Sequence, residues 1–141
     1  MVEIYVRYEG ELHCSARHGP SGSTLATDAP VDNHGRGETF SPTDLCATSL
    51  GACMLTVMGI LAKKRSWNID GLDVHIVKEM TTSPPRRIER LRVTVDAPEA
   101  IAGKLSQEAR AELEHAAHTC PVRLSIHPQI EVPLQFRWGS S

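Results

Sequence analysis

Basic charge is scarce in this sequence, and so are the devices that cross-link or export a protein. The formal net charge is −2, with 15 Lys and Arg against 17 Asp and Glu. Proteins that bind nucleic acid usually carry a basic excess. Here only Lys63-Lys64-Arg65 and Arg86-Arg87 cluster, too short to form a tract, so no nucleic-acid partner is expected. No CxxC occurs among the four cysteines, Cys14, Cys46, Cys53 and Cys120. That weakens zinc-ribbon and thioredoxin-type readings. The opening Met1-Val2-Glu3-Ile4-Tyr5 carries no signal-peptide pattern, so the expected compartment is a reducing cytoplasm. Cysteines there are free, catalytic or metal-bound more often than paired in structural disulfides. No internal repeat and no low-complexity segment breaks the chain.

What is present fits one soluble domain spanning 1–141. The hydrophobic fraction is 40% and the charged fraction 23%. A chain of this length can bury a working core without disulfide staples.

Periodicity outlines the elements. Residues 2–8 alternate, with Val2, Ile4 and Val6 on one face, and predict a half-buried strand. Further strands are expected over 12–17 and 23–28, separated by the turn His18-Gly19-Pro20-Ser21-Gly22. Residues 29–40 are rich in Pro, Asp, Asn and Gly and predict a loop. Ser41-Pro42-Thr43-Asp44 then opens a long helix, with Ser41 at the N-cap, Pro42 at the first position and Asp44 placed to close a capping box. No charged side chain follows from Leu45 to Ala62, and Lys63-Lys64-Arg65 complements the C-terminal dipole. A membrane span needs ~20 apolar residues, and this stretch is marginal and holds Thr48, Ser49 and Thr56. A buried central helix is the expectation instead, with no membrane partner. Its small stripe Thr48, Ala52, Thr56 and Gly59 suits close approach by sheet or by a symmetry mate. A hairpin over 72–95, a helix capped by Ser106, a short helix from Cys120-Pro121 and a last strand over 130–136 complete the order. The frayed end is expected at Gly139-Ser140-Ser141. With no repeating βα unit, the class is α+β.

The cysteines carry what chemistry there is. Cys53 lies mid-helix, where a lone cysteine is ordinarily a small buried hydrophobe. Cys14 and Cys46 read the same way. Cys120, as N-cap of a short helix, would sit near orphan N–H groups that lower a thiol pKa from ~8.5. His115, His118 and Cys120 suggest a metal site, but a zinc centre needs four ligands or three plus water. No second cluster is apparent, so no metal and no cofactor are expected. Asp44 can be an active-site carboxylate or only a cap. Arg17 and Arg36 can be cations beside a thiolate or only solvated charges.

Two motifs carry a resemblance. Phe40-Ser41-Pro42-Thr43-Asp44-Leu45-Cys46-Ala47-Thr48-Ser49-Leu50-Gly51-Ala52-Cys53 resembles the central-helix motif of the OsmC/Ohr family, and His118-Thr119-Cys120-Pro121-Val122 resembles its second-cysteine motif. The resemblance covers nearly the whole chain. It implies an α+β intertwined homodimer in which long central helices are wrapped by antiparallel sheet and active sites lie at the subunit interface. It implies a bacterial antioxidant enzyme that reduces organic hydroperoxides, with Cys53 as attacking and Cys120 as resolving cysteine. The implied reductant is a dithiol of the lipoyl type. In the peroxidase branch an arginine from the N-terminal region activates the first cysteine, held by a glutamate ten residues before it. Here that position is Thr43, with Asp44 beside it, and Arg17 and Arg36 are both candidates for the cation. These departures keep a second possibility open: a dimer that binds small molecules or senses redox state without efficient turnover.

Overall fold

A computed structural model describes residues 1–140. They fall into two compact units that divide between Cys46 and Ala47.

In the first unit, β1 (Ile4–Gly10), β2 (His13–His18) and β3 (Thr24–Asp28) form an antiparallel sheet in the order β1-β2-β3. Tyr8 faces Cys14, and the register shifts before Gly10 faces His13. The chain reverses through Gly10, Glu11 and Leu12, all at positive φ. The expected half-burial of the first strand is not found. Ile4 and Val6 on one face, and Tyr5 on the other, are all at least half exposed. Alternation predicts that two faces differ, but not that either is covered within the same chain. The segment 29–40 is a loop as expected, with one 3-10 turn at Val31–Asn33. It folds back tightly: the Gly37 N–H donates to the Ala29 carbonyl (3.2 Å), and a Cβ on Gly35 would overlap that same carbonyl.

The helix α1 (Pro42–Arg65) begins with the expected capping box. The Ser41 N–H donates to Asp44 Oδ2 (2.8 Å), and the Asp44 N–H donates to Ser41 Oγ (3.1 Å). By length and composition α1 could cross a membrane, with a mean hydropathy of 2.0 over its most apolar window, of which 33% is buried. Within a single chain α1 is therefore buried along one stripe only. Ala47, Leu50, Gly51, Met54, Met58 and Ala62 form a buried stripe, whereas Thr48, Ala52, Thr56 and Ile60 are exposed. Lys63, Lys64 and Arg65 do lie in its last turn.

In the second unit, β4 (Asp73–Met80) and β5 (Ile88–Pro98) form the expected antiparallel hairpin. The chain then passes through α2 (Glu99–Ala102), α3 (Gln107–His118) and α4 (Pro121–Ser125) before returning in β6 (Leu134–Ser140). That crossover brings β6 alongside β5 in parallel, so this sheet, ordered β4-β5-β6, is mixed rather than antiparallel throughout. The last strand starts later than its alternation suggests and takes in Gly139 and Ser140, which were expected to fray. Ser141 lies outside the described residues. The short α2 leaves no periodic signal, being a single turn that follows Pro98. Ser106 caps α3 as expected, accepting the Ala109 N–H at 3.1 Å.

The core of this unit joins Leu50, Met54 and Met58 of α1 with Leu91, Val93 and Val95 of β5 and Leu113 and Ala117 of α3. Each large apolar side chain so buried contributes about 1.5–3 kcal/mol. Gly51 sets the distance between helix and sheet, because a Cβ there would stand 2.7 Å from Ile76 Cδ1 and 3.0 Å from Val74 Cγ1. An ion pair from Arg65 to Glu112 (2.9 Å) ties the end of α1 to α3. With separate sheets and helices and no repeated βα unit, the α+β class expected from the sequence holds.

Candidate functional site

Cys53 and Cys120 meet in the second unit. Leu50 and Met54 point into the core on either side of Cys53, which leaves Cys53 at the edge of the buried stripe and partly exposed. Cys120 ends the loop between α3 and α4. Pro121 at the first position of α4 makes Cys120 the N-cap, and its sulfur accepts the Arg123 N–H at 3.3 Å. Cys120 is fully buried, at 0% exposure. The two thiols lie near enough for the Cys53 side chain to raise the Cys120 thiol, and all four cysteines are free.

The N-cap geometry expected for Cys120 is present, but its expected consequence is reversed. Burial pushes the Cys120 thiol above its ordinary value, and the Cys53 thiol pushes it further. The Arg123 and Val122 N–H groups act in the opposite sense without prevailing. A five-residue helix has few aligned peptides with which to offset the desolvation of a thiolate.

Beside the pair runs a groove of about 600 Å³ between α1 and α3. Val57, Ile60, Leu61, Ala116 and Thr119 give it an apolar lining, and Lys64, Glu112 and His115 add polar groups. The lining comes nearest the pair in sequence at Val57, one helical turn beyond Cys53, and at Thr119, immediately before Cys120; neither cysteine lines it.

Arg17, Arg36, Thr43 and Asp44 belong to the first unit. The Arg17 guanidinium lies 4.6 Å from the centre of the Tyr5 ring. Asp44 serves the capping box. The Thr43 hydroxyl lies 3.2 Å from that of Ser41. Arg36 lies in the field of Asp28, a carboxylate with 2% exposure that sequence reasoning passed over. Asp28 Oδ1 is 2.6 Å from His13 Nδ1, and its Oδ2 accepts the Glu38 N–H at 3.2 Å. The His13 hydrogen bond, first of all, lowers its pKa. A strand-end aspartate and a scattered histidine give no local signal; only the β2–β3 register, which sets His13 opposite Asp28, joins them. In the second unit the Glu79 carboxylate is engaged by Arg90 (2.8 Å) and Arg92. Of the proposed metal ligands, the His118 ring packs against Phe136 and Cys120 turns to Cys53. No group of three or more His, Cys, Asp or Glu suited to a metal occurs among the described residues.

Comparison with known proteins agrees with the motifs. The family model described as OsmC-like protein matches residues 35–135, which take in both cysteines of the pair. The chain belongs to the OsmC-like family. A solved structure from Psychrobacter arcticus, described as an osmotic stress induced and detoxification response protein, is 39% identical with a TM-score of 0.89, covering 97% of this chain and 96% of that one. More distant members share the fold. The organic hydroperoxide resistance protein OsmC of Legionella pneumophila is 15% identical with a TM-score of 0.74, each chain covered to 96%. The organic hydroperoxide resistance protein OhrB of Bacillus subtilis is 19% identical with a TM-score of 0.67, covering 97% of this chain and 98% of that one. Among curated proteins none matches. The family thus includes relatives named for resistance to organic hydroperoxides.

Proposed function

We propose that this protein is a thiol-dependent peroxidase that reduces organic hydroperoxides, in a single-domain, cytoplasmic homodimer serving oxidative stress defence. The observation that carries this reading is the contact between a partly exposed Cys53 and a fully buried Cys120. Exposure and burial divide the labour. Peroxide must reach the attacking sulfur, whereas the resolving sulfur needs only to reach its neighbour. The Cys53 thiolate attacks the terminal peroxide oxygen, the O–O bond breaks, and a proton carries the alkoxide away as alcohol. The sulfenic acid on Cys53 then condenses with the Cys120 thiol, forming a disulfide and releasing water. A dithiol of the lipoyl type reduces that disulfide by exchange. The apolar groove along Val57, Ile60 and Ala116 favours an apolar hydroperoxide over hydrogen peroxide. The family resemblance assigns activation of Cys53 to an N-terminal arginine supported by a carboxylate. Arg17, Arg36 and Asp44 are the residues proposed for those roles.

The test is turnover of cumene hydroperoxide with dihydrolipoamide by wild type, Cys53→Ser and Cys120→Ser side by side. The expected result is loss of all turnover in Cys53→Ser. Cys120→Ser should consume about one equivalent of peroxide and then stall without a disulfide. Arg17→Ala, Arg36→Ala and Asp44→Ala in the same assay rank the activating groups. Wild-type turnover no better than Cys53→Ser would leave a binding or redox-sensing dimer as the function.

A further inference from the structure

The reductive half of the cycle has two possible courses, because an incoming thiolate can attack either sulfur of a Cys53–Cys120 disulfide. Exchange proceeds in line: the nucleophile enters on the S–S axis, opposite the sulfur that leaves. Attack on Cys120 therefore requires a path through whatever lies behind its sulfur. That space is protein. Cys120 has no exposed surface, and its sulfur is held 3.3 Å from the Arg123 N–H of the first turn of α4. Attack on Cys53 requires only an approach to a side chain that is already partly exposed on α1.

We infer that the reducing dithiol attacks the sulfur of Cys53, and that Cys120 is the leaving group. This rests on the proposed cysteine chemistry and goes beyond it by fixing which sulfur the reductant touches. The first thiolate of the dithiol bonds to Cys53 sulfur as the Cys53–Cys120 bond breaks, and the electron pair departs on Cys120. The departing thiolate is received by the Arg123 and Val122 N–H groups and takes up a proton. The second thiol of the dithiol, as thiolate, then attacks its own partner sulfur in the mixed disulfide. That step closes a cyclic disulfide and frees Cys53. Two electrons pass from the dithiol to the protein, and Cys120 never bonds to the reductant.

One effect opposes this course. Burial raises the Cys120 thiol, and a more basic thiolate leaves more slowly. Basicity, however, only scales the rate of an open path, whereas an enclosed sulfur offers no in-line path at all.

The test separates the two sulfurs chemically. The full chain is oxidised with one equivalent of diamide, which forms the disulfide without any peroxide. It is then exposed to excess 2-mercaptoethanol, quenched with acid at successive short times and blocked with N-ethylmaleimide. Peptide mass spectrometry locates each label, fragment ions distinguishing Cys53 from Cys46 on their shared tryptic peptide. The expected early product carries mercaptoethanol on Cys53 and maleimide on Cys120, in at least about tenfold excess over the reverse. An even distribution, or mercaptoethanol on Cys120, overturns the inference and leaves the peroxidase reading standing. Failure of diamide to produce a Cys53–Cys120 disulfide overturns both.

Discussion

Cys53 and Cys120 are the same functional group in contact with each other, and what distinguishes them is burial. Position along the sequence marks Cys120 as the better thiolate, since an N-cap offers N–H donors. The structure supplies such donors, the Arg123 N–H at 3.3 Å among them, and still leaves the thiol raised, because desolvating a full charge outweighs the hydrogen bonds to it. The sign of the resulting pH dependence follows. A thiol raised in the folded state stays neutral through the ordinary thiol range and ionises only at higher pH. Thiolate absorbance of Cys120, taken as the difference between Cys53→Ser and the Cys53→Ser/Cys120→Ser double variant, should therefore appear only above the ordinary thiol range. A midpoint within or below the ordinary thiol range across a pH series would contradict this account. At this scale the sequence was informative about identity and silent about environment. Both cysteine motifs could be read from their residues. Which sulfur is enclosed depends on the packing of α1, α3 and α4, which no local pattern records.

At the scale of elements, the capping signals proved the most legible. Ser41 with Asp44, Ser106, and Cys120 with Pro121 each start a helix where their side chains announce one. These are contacts within four residues, so the sequence contains both partners. The pairing of β6 with β5 was not legible, because alternation within one strand carries no information about its neighbour or direction. The same limit hid the pin that fastens the loop 29–40. Asp28 binds His13 across the sheet and the Glu38 N–H across the loop, and its own N–H donates to the Phe40 carbonyl. Its pKa is lowered below the ordinary aspartate value of 3.8. A carboxyl depressed on folding adds stability above its unfolded pKa and loses it as pH falls through the folded value. Asp28→Asn should thus melt at lower temperature than wild type at pH 7. The deficit should shrink as the pH drops below 3.8, where wild type loses the same charge. A constant deficit across a calorimetric pH series would show that the carboxylate's charge is not what holds the loop.

At the scale of the whole molecule, large apolar side chains stand exposed in both units. Ile4, Val6 and Tyr8 on β1 and Ile60 on α1 are each more than half exposed, and the small stripe Ala52 and Thr56 lies bare on the same helix. A stripe of small side chains on an otherwise apolar helix suits a second helix packed closely against it. That is the support for the proposed homodimer. Light scattering should give about twice the 15.5 kDa chain mass for wild type, and Ala52→Glu should shift it toward the single mass. A monomeric wild type would remove the dimer from the proposal.

The parallel return of β6 also bears on how the chain emerges from a ribosome. Phe136 and Trp138 align with Val95 and Ala97, which are synthesised far earlier, with three helices made in between. Until the last strand is released, the hydrogen-bonding edge of β5 stays open beside its apolar residues. Such non-local pairing is slow to form, and unpaired edges invite association with other chains. The interval between making β5 and making β6 is thus when the nascent protein is most exposed to aggregation, and when protection by a chaperone would matter most.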